Sequence, residues 1–277
     1  MPTDMHHIYR YCRDMGISPD DGSLGEGISP DEAYGLVFPD MAARLTDQFG
    51  MAEVHDLDRL VDFHGWVGAE SPGHAGFSRA FLHHKLYDDG FHQSLFFRLS
   101  LGMLSLLARN LAGRIDGNEL DRKTVDGGCH FALEWKIGDS AAGKYPQLAD
   151  AACMGVNEVD LEEISSLVGR FYGKDRRRLH EQLSAIRGVD RRFFTDPSCF
   201  ARSLLEAFGS NGDVKEEMFN QAYRRMAGMG EELYKTIDRF SGYLDLMSLS
   251  PEAYEFLIMP PGRSSGFSRK LAEYGVR

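Results

Sequence analysis

Apolar residues in this chain return every three or four positions, and that spacing confines most of it to α-helix. From Val214 onward, Met218, Phe219, Ala222, Met226, Met229, Leu233, Ile237, Phe240 and Leu244 follow one another at mostly such steps. Lys215, Glu216, Arg224, Glu231 and Lys235 fall between them, as the wetted face of an amphipathic helix requires. A second strong pattern runs from about Phe91 to Leu111, with Leu95, Leu99, Met103, Leu106 and Leu107 on a broad apolar face. Helix starts are also written in. Ser29-Pro30-Asp31-Glu32 supplies an N-cap, a proline in the first turn and a carboxylate at the third helical position. Ser250-Pro251-Glu252 and Asp196-Pro197 repeat the device. Further helices are expected near 3–15, 40–48, 51–64, 77–88, 158–172, 175–187 and 198–208.

Between Gly113 and Pro146, glycines at 117, 127, 128, 138 and 143 interrupt any long helix. That segment reads as an irregular excursion near 113–146, with a short strand from His130 to Ile137. No Pro/Ser-rich linker flanks it. The expectation is therefore an all-α, multi-helix bundle forming a single domain over residues 1–277. A chain of this length buries a core without disulfide support. Cys12, Cys129, Cys153 and Cys199 lie far apart with no Cys-x-x-Cys pair, which argues against a zinc ribbon or an iron–sulfur cluster. The net charge of -11 disfavours nucleic acid and anionic membranes as partners. The longest apolar run, Leu99 to Ala108, is about half of what spans a bilayer. An N-terminus carrying Asp4, His6, His7 and Arg10, with no apolar run, is not expected to act as a signal peptide. A cytoplasmic location follows as the expectation.

Six of the ten histidines, at 55, 64, 74, 83, 84 and 92, fall within 38 residues. Imidazole is the commonest metal or haem ligand, so this density points to metal chemistry. His84, Asp88 and His92 stand four apart and share one face if the helix continues through Gly90. His55-Asp56 is similar to the dipeptide of the HD class of metal-dependent phosphohydrolases. One candidate site is thus a non-haem divalent metal held by His55, Asp56, His84, Asp88 and His92. A basic run from Arg170 to Arg192, containing Arg176, Arg177, Arg178, Arg187 and His180, suits a compact anion. The tail Arg263-Ser264-Ser265-Gly266 offers backbone and hydroxyl donors to a carboxylate or phosphate.

Three segments resemble the haem-dependent aromatic oxygenase superfamily, which includes tryptophan 2,3-dioxygenases and haem-dependent tyrosine hydroxylases. Leu249-Ser250-Pro251 through Ser265-Gly266-Phe267 looks like its Leu-Thr-Pro…Ser-Gly-Phe segment. His92-Gln93 followed by Leu95 to Arg98 is similar to its distal His-Gln helix, and Arg178-Leu179-His180 to the segment holding its proximal ligand. The resemblance implies an all-α oxygenase with haem b ligated by His180. Arg176, Arg177 and Arg187 would stand near the propionates, with His92 as the catalytic group on the distal side. Arg263, Ser264, Ser265 and Gly266 would bind the substrate. The implied partners are a small aromatic substrate, indole- or phenol-like, with dioxygen or peroxide. A homo-oligomer is compatible with the sequence. Two alternatives stand beside this one: a His/Asp metal-dependent hydrolase and a non-catalytic helical interaction or regulatory protein.

Overall fold

The computed structural model describes residues 5–18, 24–92, 97–98, 101–102, 105–106, 129–130, 133–134, 138 and 141–195. Among them there are ten α-helices and no strand, so the all-α class expected from the periodicity is the one observed. In chain order they are α1 (Met5–Asp14), α2 (Leu24–Gly27), α3 (Pro30–Leu45), α4 (Met51–Val54), α5 (Leu57–Glu70), α6 (Ala75–His92), α7 (Gln147–Glu158), α8 (Leu161–Tyr172), α9 (Arg176–Ser184) and α10 (Arg191–Thr195), with a 3-10 turn at Pro72–His74 before α6. No helix of the described residues is long and apolar enough to cross a membrane.

Several boundaries differ from the sequence reading, each for a physical reason. At Ser29 the side chain accepts the Glu32 amide while the Glu32 carboxylate accepts the Ser29 amide, a complete capping box. The helix begun there does not yield to a separate one near 40. It runs on through Pro39, although proline cannot give the usual amide bond to the Gly35 carbonyl. Every residue from Ala33 to Ala42 is buried, and that packing holds the helix across the missing bond. Conversely, the single helix expected over 51–64 breaks at His55–Asp56, because the Asp56 side chain accepts the Arg59 amide and starts α5 as its N-cap. Gly90 does not end α6, which continues to His92. The strand expected at 130–137 is corrected: His130, Leu133 and Glu134 are helical, as are Gly138 and residues 141–144 within the supposed irregular stretch. Helix α7 was not anticipated. The helices expected at 198–208, beyond Val214 and after Ser250 lie outside the described residues.

The chain divides into two compact units, Met1–Asp88 with Ile137–Asp213, and Asp89–Lys136 with Val214–Arg277. In the first, α3 is the central element and packs most extensively on α7. Two glycines allow the closest approaches. A Cβ on Gly155 of α7 would stand 2.6 Å from the Tyr34 amide nitrogen and 3.0 Å from the Ala33 Cβ. A Cβ on Gly35 would collide with the Phe77 carbonyl oxygen and stand 2.9 Å from the Ala80 Cβ, so α6 lies directly on α3 there. Around this junction Phe38, Phe63, Phe77 and Phe81 pack mainly edge-to-face with centroids 5.2–6.2 Å apart. A polar clamp closes one side. Tyr11 of α1 donates to Glu32 at 2.6 Å, and Arg79 of α6 bonds both partners. Burial opposes ionisation of Glu32, but hydrogen bonds from Tyr11, Ser29 and Arg79 prevail and hold its pKa below the ordinary value.

In the second unit the described residues are helical, with Phe91, Phe97, Cys129 and Leu133 buried. Phe91 and Phe97 pack with centroids 4.6 Å apart.

The glycine contacts separate two substitutions of identical chemistry. Gly35→Ala should destabilise the protein by about 1–3 kcal/mol, the usual cost of overpacking. Gly65→Ala lies in α5 where an added Cβ meets nothing within 4 Å, and should stabilise by about 0.5–1 kcal/mol. Urea denaturation of the two variants beside the parent measures both, and equal effects would discount the close approach of α6 to α3.

Candidate metal centre

Three side chains from three places in the first unit converge on one point. Asp40 comes from α3, His84 from α6, and His55 from the corner between α4 and α5. One potential ligand atom from each lies within 4.8 Å of the others. The histidine orientations are set by the backbone. His84 Nδ1 is 2.6 Å from the Leu36 carbonyl oxygen, and His55 Nδ1 is 2.9 Å from the Met51 carbonyl oxygen. A carbonyl only accepts, so each Nδ1 carries the proton and each Nε2 presents a lone pair. This is the tautomer that metal-bound histidines take, with the second nitrogen donating to a protein oxygen.

Protonation favours the same state. His84 is 1% exposed, and burial pushes its pKa down to about 4, although the nearby Asp40 charge pulls the other way. Its ring is therefore neutral at physiological pH and competent as a ligand. His83 faces away into a separate chain of bonds, with Nδ1 2.8 Å from the Tyr87 hydroxyl, which donates to Asp14 at 2.8 Å. Burial lowers His83 to about 4 as well. His64 is lowered by burial and by the Arg79 charge. Two further histidines border the centre. His7 of α1 is buried with its ring centroid 4.3 Å from that of His84, and His6 lies 4.0 Å from His7.

The residues singled out in the sequence thus have different fates. His55 and His84 come together. Asp56 is the exposed cap of α5. Asp88 lies 3.9 Å from Lys85 and acts on His84 through its charge. His92 joins another group, in the second unit: its Nε2 and that of His130 each stand 2.8 Å from the same oxygen, Oε1 of Glu134. His180 is half-buried on α9, with Nε2 3.5 Å from the Ser184 hydroxyl. Arg177 is exposed and pairs with Glu181 at 2.9 Å, and exposed Arg178 pairs with Asp47. Arg187 donates to the Val159 carbonyl, and exposed Arg176 begins α9. Arg263, Ser264, Ser265 and Gly266 lie outside the described residues.

Sequence reasoning missed Asp40, His130 and Glu134. Asp40 had a signal: it is the lone charge in the otherwise apolar stretch from Ala33 to Ala42. His130 and Glu134 are four apart, a helical pairing that the strand reading concealed. Comparison with protein-family models, with curated proteins and with solved structures returns no match.

The neutral histidines have a consequence for stability. Unfolded histidine titrates near 6.5, roughly the pH below which the unfolded chain takes up protons that native His83 and His84 refuse. The unfolded state then binds more protons, so stability is complete above about 6.5 and falls as the pH drops toward 4. The loss should be on the order of a few kcal/mol in metal-stripped protein. Urea midpoints at several pH values measure it, and proton NMR of the two rings should show no titration above about pH 5.

Proposed function

We propose that the protein is a metal-dependent hydrolase that holds one non-haem divalent transition-metal ion on Asp40, His55 and His84. The observation that carries this reading is the pair of histidines whose Nδ1 protons are committed to backbone carbonyls, in a group where one potential ligand atom each from His55, His84 and buried Asp40 lies within 4.8 Å of the others. Two imidazoles and one carboxylate suit zinc, iron(II) or manganese and leave coordination positions for water and substrate. Such an ion supplies Lewis acidity and lowers the pKa of a coordinated water toward neutrality. His55 is the half-exposed member of the set, so its side is the approach for solvent and substrate. Hydrolysis is the simpler reading because it needs only that water as second reactant, whereas oxygenation also needs dioxygen.

The His55-Asp56 dipeptide supports this reading through His55 alone, since the Asp56 carboxylate is engaged as a helix cap. Protein stripped with a chelator and titrated with zinc(II) should bind at this centre. His55→Ala and Asp40→Asn should each weaken that binding more than about 100-fold, whereas Asp56→Ala should leave it intact and cost about 1 kcal/mol of stability through the lost cap. Undiminished binding in the His55 and Asp40 variants would discard the centre. Loaded protein is then assayed with chromogenic phosphate and carboxylic esters. Iron-loaded protein that consumes dioxygen but cleaves no ester would move the reaction to the oxygenase class. A haem-reconstituted protein with a Soret band abolished by His180→Ala would restore the haem reading.

A further inference from the structure

We propose that His92, His130 and Glu134 form a second divalent-metal site, for a borderline ion of the zinc(II) type, in the unit comprising Asp89–Lys136 and Val214–Arg277. The group is independent of Asp40, His55 and His84 and shares no residue with them. His92 sits at the end of α6, and His130 and Glu134 are one helical turn apart, so the set joins two stretches separated in sequence.

Geometry is the first support. Both Nε2 atoms stand 2.8 Å from Glu134 Oε1, and the two imidazole centroids are 4.6 Å apart. Donor atoms held about 2.0–2.2 Å from one zinc ion lie roughly 3 Å from each other, so a slight opening of the group admits the ion. Charge is the second. The Glu134 side chain is only 9% exposed, and no lysine or arginine is paired with it among the described residues. Its only ion-pairing partners there are the two histidines, which offset the buried carboxylate fully only when protonated. A divalent cation does so with both rings neutral.

Access is the third. The His92 and His130 side chains are 27% and 38% exposed, so an ion can enter and keep water on its outer side. The inner side is apolar, with Phe97 centred 4.7 Å from His92 and 5.1 Å from His130. An apolar wall behind a polar ligand set lowers the local dielectric and strengthens each ion–ligand attraction. Two nitrogens and one carboxylate oxygen, with no thiolate among them, select zinc(II) or a similar ion over copper(I) and over the all-oxygen sites of calcium and magnesium.

The test uses the full chain, stripped of metal and titrated with cobalt(II) as a visible reporter for zinc(II), with zinc competition. The parent should take up two equivalents, His130→Ala and Glu134→Gln one each, His55→Ala one, and the His55→Ala/His130→Ala double variant none. Affinity of the second site should fall more than about 100-fold in His130→Ala, beyond the 10–100-fold that loss of an outer partner brings. His130 is partly exposed and Glu134→Gln keeps the side-chain shape, so both variants are expected to fold, which far-ultraviolet circular dichroism checks. A parent that binds one equivalent, lost in His130→Ala and kept in His55→Ala, supports this site while removing the one on Asp40. Binding unchanged in both His130→Ala and Glu134→Gln overturns the proposal and leaves a hydrogen-bonded His–Glu–His group. A parent that binds no ion overturns it equally.

Discussion

The first unit is organised by how closely two helices come to α3. Gly35 and Gly155 have no side chains, and the space so freed is filled by the Phe77 carbonyl on one side and the Tyr34 backbone on the other. Contacts at that range multiply dispersion attraction and shut out water. They also fix how α6 lies along α3. One residue after Gly35, the Leu36 carbonyl meets the His84 ring, and the next turn of α3 carries Asp40 to the same imidazole. The candidate centre is therefore a by-product of this close packing. Any change that pushed α6 away would part the His84 ring from the carbonyl that orients it and from Asp40.

Much of the frame was legible in the sequence because the signals were local. The capping box at Ser29 and Glu32 needs only residues three apart, and it begins a helix where expected. Helices α1, α8 and α9 follow from their apolar spacing, and Asp160 and Asp175 cap the last two. Two of the failures share a cause, which is tertiary packing. Pro39 should end a helix, yet burial on all sides carries α3 past it. Helix α7 presents Ala149, Ala151, Ala152 and Gly155 to its neighbours. Small residues give a weak hydrophobic pattern, and they are the ones that permit close approach. What hid the helix from a periodicity argument is what makes it pack.

The same distinction governs the sites. Histidine density marked the right region, but ligands are chosen by convergence in space, which sequence spacing reports only within one helix. His130 and Glu134 illustrate this. In a strand, residues four apart are separated by roughly 13 Å, in a helix by about 6 Å, so the choice of secondary structure decides whether a site exists. Asp40 and His84 are 44 positions apart with helices α4 and α5 between them, and no local pattern joins them. The aromatic oxygenase resemblance rests on motif words at 92, 180 and 265–267, of which the last lies outside the described residues.

The two histidine–carboxylate groups differ in what holds the imidazoles, and that difference bears on their chemistry. At Asp40, His55 and His84, each ring is oriented by a main-chain carbonyl, a group that neither ionises nor rotates away. Its Nε2 lone pairs are set before any ion arrives, so little ordering remains to be done on binding. At Glu134 both rings are turned toward the carboxylate oxygen itself. There an ion would have to replace two hydrogen bonds. The first arrangement is suited to holding one ion in a fixed geometry for chemistry. The second would set an ion against the hydrogen bonds it displaces, which suits an ion that comes and goes.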